Sequence, residues 1–269
     1  MKIDIVVPIY NAYEQTTKCL VSLESYQGTN TNIILINDAS TDPKIKSLVD
    51  QYAIKNNWNF IHHKNNCGFV KTANQGLKLS NNHTLLLNSD TVVTKPWLYA
   101  LQKAVRSGQE VGTVTPWSNN AEICSFPKFL SNNPVPENAN ILAEDIYKNY
   151  QPKYPLIPTA VGFCMLITKK AKQIVGYFDE ELFGHGYGEE NDYSMRVVES
   201  GLINILCDNA YVVHIGNQSF SDFGLKPDEN SMKRLLSKHP KYQDSIQQYI
   251  NKDPLAEIRH NILKVIGPS

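Results

Sequence analysis

Thr84-Leu85-Leu86-Leu87-Asn88-Ser89-Asp90 decides how this chain is read. Thr84–Leu87 has the look of a buried strand, and it delivers a carboxylate to the strand's C-terminal end. In an open α/β sheet, ligands sit at that edge, because the helices that follow the strands point their N-termini there. An acidic side chain there, with Thr91-Val92-Val93 continuing extended, suits a divalent cation carrying a phosphate. An Asp after a strand serves equally well as a helix cap or turn residue. The segments on either side therefore carry the argument.

Upstream, strands and helices alternate. Ile3–Pro8 reads as a short buried strand, followed by a helix to about Glu24 capped by Asn11, with Glu14 at its third position. Ile33–Ile36 is a second strand ending at Asn37-Asp38, and Pro43–Lys55 a helix. Asn59–His62 is a third strand and Val70–Leu79 a helix. After the strand Leu85–Asn88 come a helix over Pro96–Arg106, with proline in its first turn, and a fifth strand, Val111–Thr115. This spacing predicts right-handed βαβ units and a mostly parallel sheet. The first loop, Pro8-Ile9-Tyr10-Asn11-Ala12, has no G-x-G-x-x-G, which disfavours a dinucleotide-binding domain.

Downstream, the pattern loosens. Prolines at 127, 134, 136, 152, 155 and 158 predict a long loop region with one helix near Ala139–Asn149, and such a loop is usually a binding element or lid. Next come a strand over Ala160–Thr168, a helix from Lys169, and the Gly- and acid-rich run Phe183 to Asp192, which enters a helix over Tyr193–Ser200. Tyr211–His214 reads as a strand, and from about Ser231 the pattern is helical and amphipathic.

Composition excludes several classes. There are 26 basic and 26 acidic side chains among 269 residues, so no overall field attracts nucleic acid or an anionic membrane. Five scattered cysteines, never spaced C-x-x-C, argue against a disulfide framework or structural zinc and fit a reducing compartment. The chain begins directly with a strand and has no apolar run near the ~20 residues that span a bilayer. The expected location is cytoplasmic.

Val7-Pro8-Ile9-Tyr10-Asn11, Ile36 to Asp42, Asn66-Cys67-Gly68-Phe69 with Asn74 and Gly76, Asn88-Ser89-Asp90, Gly188 to Arg196 and His214 occur in order. Together they resemble a family 2 glycosyltransferase of GT-A fold over roughly residues 1 to 220. The resemblance implies an α/β, Rossmann-like, mostly parallel sheet flanked by helices, with a donor half (about 1–115), an acceptor half (about 116–222) and a C-terminal helical extension (223–269). It also implies transfer of a sugar from a nucleotide donor with inversion at the anomeric carbon.

The chemistry of glycosyl transfer assigns expected roles. A departing nucleoside diphosphate must be neutralised, for which Mn²⁺ or Mg²⁺ is suited, and a hydroxyl must lose its proton. Asp90 is the expected metal ligand. Asn88 replaces the first Asp of the family's D-x-D pattern, where it can hydrogen-bond the donor, with Ser89 between them. His214 stands where relatives place a second metal ligand, and its nitrogen favours Mn²⁺.

In register with Arg196, Glu190 occupies the base position. Glu189 and Asp192 lie beside it, and mutual repulsion raises the pKa of one of the three. Glu190 and Asp192 are both held as candidate bases and Glu189 as a substrate contact, with Arg196 as an anchor for the carboxylates. The plainer reading of the three acids is a solvated helix N-terminus, which has no need of the three glycines before it.

The resemblance places Pro8, Tyr10 and Asn11 against base and ribose, and Asp38 on a pyrimidine N–H, which suits a UDP- or dTDP-sugar. It places Asn66, Gly68 and Lys71 on ribose or phosphate. Asp38 is also placed to form an Asx turn with residues 39 to 41. Gly162 and Phe163 resemble the strand beside the sugar and acceptor site, and Trp117 is a candidate stacking platform or a core residue.

Expected partners are the nucleotide-sugar donor and a glycan, lipid-linked or protein acceptor, with no nucleic acid. A homodimer is left open, as is a peripheral membrane contact through Lys233, Arg234 and Lys238 beside Leu235 and Leu236. Two other readings compete with the enzyme: a GT-A-shaped binding or scaffolding subunit that has lost turnover, hinted at by Asn88 and Glu190, and a nucleotidyltransferase.

Overall fold

The computed structural model describes residues 1–108, 110–184, 186–216 and 229–267. The first half runs β1 (Ile3–Ile9), α1 (Tyr13–Tyr26), β2 (Thr31–Asn37), α2 (Pro43–Asn56), β3 (Asn59–His62), α3 (Phe69–Leu79), β4 (His83–Leu87), β5 (Thr91–Val92), α4 (Trp97–Val105) and β6 (Val111–Trp117). A 3-10 turn at Glu122–Cys124 then leads to α5 (Ala139–Asn149), β7 (Cys164–Ile167), α6 (Lys169–Val175), α7 (Glu180–Phe183), α8 (Glu189–Glu199), β8 (Ile203–Tyr211) and β9 (Val213–His214). The helices α9 (Glu229–Lys238), α10 (Tyr242–Lys252) and α11 (Ala256–Ile266) follow.

Seven strands form one sheet in the order β3-β2-β1-β4-β7-β6-β8, parallel except for β7, which is antiparallel to both neighbours. Both faces are covered. Ile3, Ile5, Val7 and Ile9 of β1 enter one core and Val6 the other, and in β4 Leu85 and Leu87 oppose Leu86. Burial on two faces explains the near-continuous apolar runs in sequence. At Gly76, α3 crosses β1 so closely that a Cβ would stand 2.2 Å from the Val6 side chain. The chain reverses direction between β2 and β4 on either side of β1, so the crevice for a ligand opens at the C-terminal ends of these strands.

A separate two-stranded ribbon pairs β5 with β9, setting Thr91 opposite His214. Two distant segments of sequence thus meet directly beside Asp90.

Several local expectations are corrected. Asn11 does not cap α1. The cap position is Ala12, with φ 52°, and the Asn11 side-chain Oδ1 instead accepts the amides of Thr41 (2.9 Å) and Asp42 (3.1 Å). The strand expected over Ala160–Thr168 is only Cys164–Ile167, so Gly162 lies in a turn. Helix α8 begins at Glu189 instead of Tyr193, because Gly188, at φ 100°, turns the chain into it. Strand β8 extends back to Ile203 from the segment expected at Tyr211. Buried Asn204, Asp208 and Asn209 break its apolar pattern.

The tail is built into the body. Leu235 and Tyr242 join one core, and Leu255, Ile258 and Ile262 the other. Leu235 and Leu236, the residues for a membrane face, pack inward on the second core. Among the described residues no helix is long and apolar enough to cross a membrane. The boundary at 222 lies outside the described residues.

Candidate active site

Asp90 ends the β4 loop, buried to 7 % exposure. Its Oδ1 lies 3.5 Å from Nε2 of His214. The other ring nitrogen, Nδ1, is 2.7 Å from the carbonyl of Asn120. A carbonyl only accepts, so Nδ1 carries a proton and, in the neutral ring, Nε2 presents its lone pair toward Asp90. A fixed imidazole lone pair beside a carboxylate is a donor set that fits Mn²⁺ or Mg²⁺. Burial disfavours the charged ring, but the Asp90 carboxylate outweighs it and raises the His214 pKa.

Phe163 packs its ring on the His214 imidazole, with centroids 5.2 Å apart and planes at 22°. It is 2 % exposed, so its ring orients the histidine, where the sequence places it beside the sugar and acceptor. Its carbonyl accepts the amide of Asn88 at 2.9 Å. Asn88 is half-buried and Ser89 buried.

On the other side of this turn stands Glu190. A Cβ on Gly162 would lie 3.9 Å from its Cγ, so glycine leaves the carboxyl open. Glu190 and Glu189 are the first residues of α8, within the first-turn field of the helix dipole. Each keeps a buried Oε2 with no hydrogen-bond partner among the described residues. Burial pushes the Glu190 carboxyl up to about 7, with the charge of Glu122 adding to the effect. Burial and then the Glu190 charge push Glu189 well above the usual range. The pair therefore holds a proton near neutrality and titrates as a unit.

The backbone around the pair is unusual, with Tyr187 at φ 72° and Glu122 at φ 48°. Glu122 is solvent-accessible, yet the surrounding protein raises its carboxyl too.

Asp192 faces elsewhere, which corrects its place among the candidate bases. It is fully buried and accepts Nε of Arg196 (2.8 Å), Nε2 of His239 (2.8 Å) and Nζ of Lys238 (2.8 Å). Burial opposes its charge, but the hydrogen bonds from Lys238 and His239 and the Arg196 guanidinium hold its pKa low. Lys238 and His239, at the end of α9, thereby fasten the tail to the helix that carries Glu190. Arg196 is the expected anchor, but of Asp192 alone.

The ends of β2 and β3 form a hydrogen-bonded knot. Asp38 accepts the amides of Cys67 (2.8 Å) and Gly68 (2.9 Å), and its Oδ1 lies 2.7 Å from Nδ1 of His63. Asn66 donates to the Asp38 carbonyl and accepts the Gly68 amide. The Asx turn belongs to Asn37, which accepts the Ser40 amide at 3.0 Å. Donor atoms of Asp38, His63 and Cys67 lie within 4.8 Å of one another, but Asp38 Oδ1 already serves the ring and an amide. Lys71 is exposed on α3, Tyr10 half-buried, and Pro8 buried within β1 opposite Ile36.

Trp117 is corrected outright. It is fully buried, donates to the Asp208 carbonyl at 3.1 Å and packs on Phe126, so it offers no face to a sugar. Sequence reasoning missed Asn119, which clamps the His214 backbone, along with Asn120, Glu122 and His239, and it gave Lys238 to a membrane contact where the structure pairs it with Asp192. The available signal was position: Asn119 and Asn120 follow the end of β6, on the same sheet edge as Asp90.

The architecture is that of GT-A-fold transferases. GalNAc-T7 with UDP, GalNAc and Mn²⁺ superposes with a TM-score of 0.69 at 12 % identity, over 97 % of this chain and 54 % of that one. Staphylococcus aureus TarS 1-349 in complex with UDP-GlcNAc gives 0.57 at 16 % identity, over 99 % and 82 %.

The profile of glycosyl transferase family 2 matches residues 4–174, and the chain belongs to that family. A poly-beta-1,6-N-acetyl-D-glucosamine synthase of Staphylococcus epidermidis is 26 % identical over 181 residues, 67 % of this chain and 42 % of that protein. A teichoic acid poly(glycerol phosphate) polymerase of the same species is 39 % identical over 80 residues, 29 % and 11 %. The chain spans less than half the length of these curated relatives.

Proposed function

We propose that this chain is an inverting, metal-dependent glycosyltransferase. It moves a sugar from a UDP- or dTDP-sugar to a hydroxyl of a glycan, glycolipid or glycoprotein during bacterial surface polysaccharide or glycoconjugate synthesis, from the cytoplasmic side. The observation that carries this reading is the turn Gly162-Phe163, which runs beside Glu190 on one side, where a Cβ on Gly162 would come within 3.9 Å of its side chain, and stacks on His214 on the other. A group that takes a proton and a pair that holds a cation thus flank one short segment at the switch-point crevice. The names of the relatives support the substrate class: a polymerising N-acetylglucosamine synthase, and structures holding UDP, UDP-GlcNAc and Mn²⁺.

In this reading Asp90 and His214 hold the cation, which as a Lewis acid would stabilise the charge of the leaving diphosphate. Glu190 takes the acceptor proton as the hydroxyl oxygen bonds to the anomeric carbon and the bond to diphosphate breaks on the opposite face. Glu189 holds its proton more tightly and leaves Glu190 as the carboxylate that ionises and can accept. Asn88 and Ser89 line the donor, and Tyr10 and Lys71 flank the nucleoside and phosphate. Asp38, Asn66 and Gly68 shape the wall that receives the pyrimidine.

Thermal denaturation with UDP, dTDP, GDP and ADP, each with Mn²⁺ and again with EDTA, tests the reading. A ligand at about 100 times its Kd adds about 2.7 kcal/mol, several degrees for a chain of this size. The expected result is a shift with UDP or dTDP that EDTA erases. No shift with any nucleotide would overturn the reading and favour a scaffold that has lost turnover.

A further inference from the structure

A second cavity, of about 500 Å³, opens between the C-terminal parts of α4 and α5 and the strand β8. Its lining includes Lys103, Tyr147, Tyr150, Gln151, Tyr154 and Asn209. None of these residues belongs to the donor pocket or to the Glu190 turn.

Its charges are already engaged. The Asp208 carboxylate beneath it accepts the amides of Lys153 (2.9 Å) and Tyr154 (3.1 Å) and the hydroxyl of Tyr150 (3.2 Å). Lys148 at its rim is paired with Glu144. The Lys103 ammonium lies 4.9 Å from the Tyr99 ring centroid and 5.6 Å from that of Tyr147.

One buried polar group is left over. Asn209 is 3 % exposed. Its Oδ1 accepts only a weak bond from the Cys207 thiol, at 3.4 Å, and its Nδ2 makes no hydrogen bond among the described residues. The amide nitrogen is not sealed from solvent, and it lines the open cavity with its donors unused. Tyrosine rings, an available amide and no uncommitted charge suit a neutral, polyhydroxylated ligand, whose C–H faces lie on rings and whose hydroxyls meet amides.

We infer that this cavity is a carbohydrate subsite that holds a neutral segment of the glycan acceptor, and the inference rests on the glycosyltransferase reading above. Asn209 precedes His214 by five residues, so the subsite lies no more than about 18 Å from the cation pair along the chain. An extended acceptor engages both sites, and the subsite keeps a growing chain close between transfers.

The test is isothermal titration of the whole chain with chitohexaose, cellohexaose, maltohexaose and isomaltohexaose, with UDP and Mn²⁺ filling the donor pocket. At least one hexasaccharide should bind. Asn209→Leu should weaken it by about tenfold, the worth of one good hydrogen bond, and so should Tyr147→Ala. Retention of the UDP thermal shift shows that a variant is folded. Should either fail to fold, Gln151→Ala, which removes a lining amide at an exposed position, carries the test instead. Absence of binding by all four sugars, or binding unchanged in the folded variants, overturns the inference. A UDP shift without sugar binding sinks this inference alone, whereas loss of the UDP shift from the parent chain sinks the functional reading.

Discussion

The two ends of the crevice handle acidic groups in opposite ways. At the β2–β3 end, Asp38 is satisfied by two backbone amides and faces an imidazole nitrogen. At the α8 end, Glu189 and Glu190 lie side by side, each with a buried oxygen lacking a partner among the described residues, on backbone that includes Tyr187 at φ 72°. The first arrangement stabilises the fold, and the second opposes it and persists because its surroundings hold it. Burial of a carboxylate therefore does not by itself mark chemistry. Asp192, two residues beyond Glu190 and more deeply buried, is fully partnered and acts as a rivet.

The largest effect should come from Glu190→Gln. Loss of a general base costs about 10²–10⁴-fold in turnover, while the UDP thermal shift should remain. A folded-state pKa of about 7 lies above the unfolded value, so the folded chain holds the proton longer and this group's contribution to stability falls as pH rises through 7. Glu190→Gln should thus melt no lower than the parent at pH 8 and hold its advantage less well at pH 5. In the parent, turnover should rise with pH to a plateau above about 7, since the protonated carboxyl cannot accept. A variant that kept parental turnover would erase the contrast between the two ends.

Asp192→Asn should invert that pattern. Breaking a buried ion pair costs about 3–5 kcal/mol, at about 2–4 °C per kcal/mol for a chain of this length. Calorimetry should therefore find Tm lowered by roughly 10 °C, with turnover per folded molecule changed much less than in Glu190→Gln. Asp38→Asn should be milder. Hydrogen bonds to a charged group are worth about 1.5–3 kcal/mol, so Tm should fall by several degrees and UDP should bind more weakly. An Asp38 variant with intact stability would mean that the knot is not the scaffold described here.

The alternation of strands and helices over residues 3–117 was legible because both sheet faces are covered and each apolar run ends at a turn or cap residue. Asp42, Pro43 and Asn57 bracket α2 in just this way, as cap, first turn and left-handed C-cap. Strand β8 was legible only at its end, because Asn204 and Asp208 are buried by pairing with distant groups, and no periodicity reports such partners. At the site, Glu190 and the Asp90–His214 pair were reachable from motif order. The burial of Trp117 and the role of Asp192 were not, since one depends on the Phe126 ring and the other on Lys238 and His239, 46 and 47 residues away in sequence. Asn11 misled for a related reason: a residue type that caps helices also bridges loops, and only tertiary placement separates the two.

The smallest predicted effect is the most specific test of how the two ends meet. Phe163 touches no expected ligand, yet it stacks on His214 and its carbonyl anchors Asn88. Phe163→Leu keeps the carbonyl and most of the volume but removes the ring. An aromatic pair is worth about 0.5–1.5 kcal/mol beyond its buried area, so the imidazole should lose orientation by about that amount. The Mn²⁺ concentration giving half-maximal thermal stabilisation with UDP should rise by roughly two- to tenfold, with the melting temperature of the unliganded chain shifting little. The pH at which turnover reaches half its plateau should stay where Glu190 sets it. If that pH moved and the Mn²⁺ dependence did not, the ring would be acting on the base across Gly162, and the cation pair would be held by Asn119 and Asn120 alone.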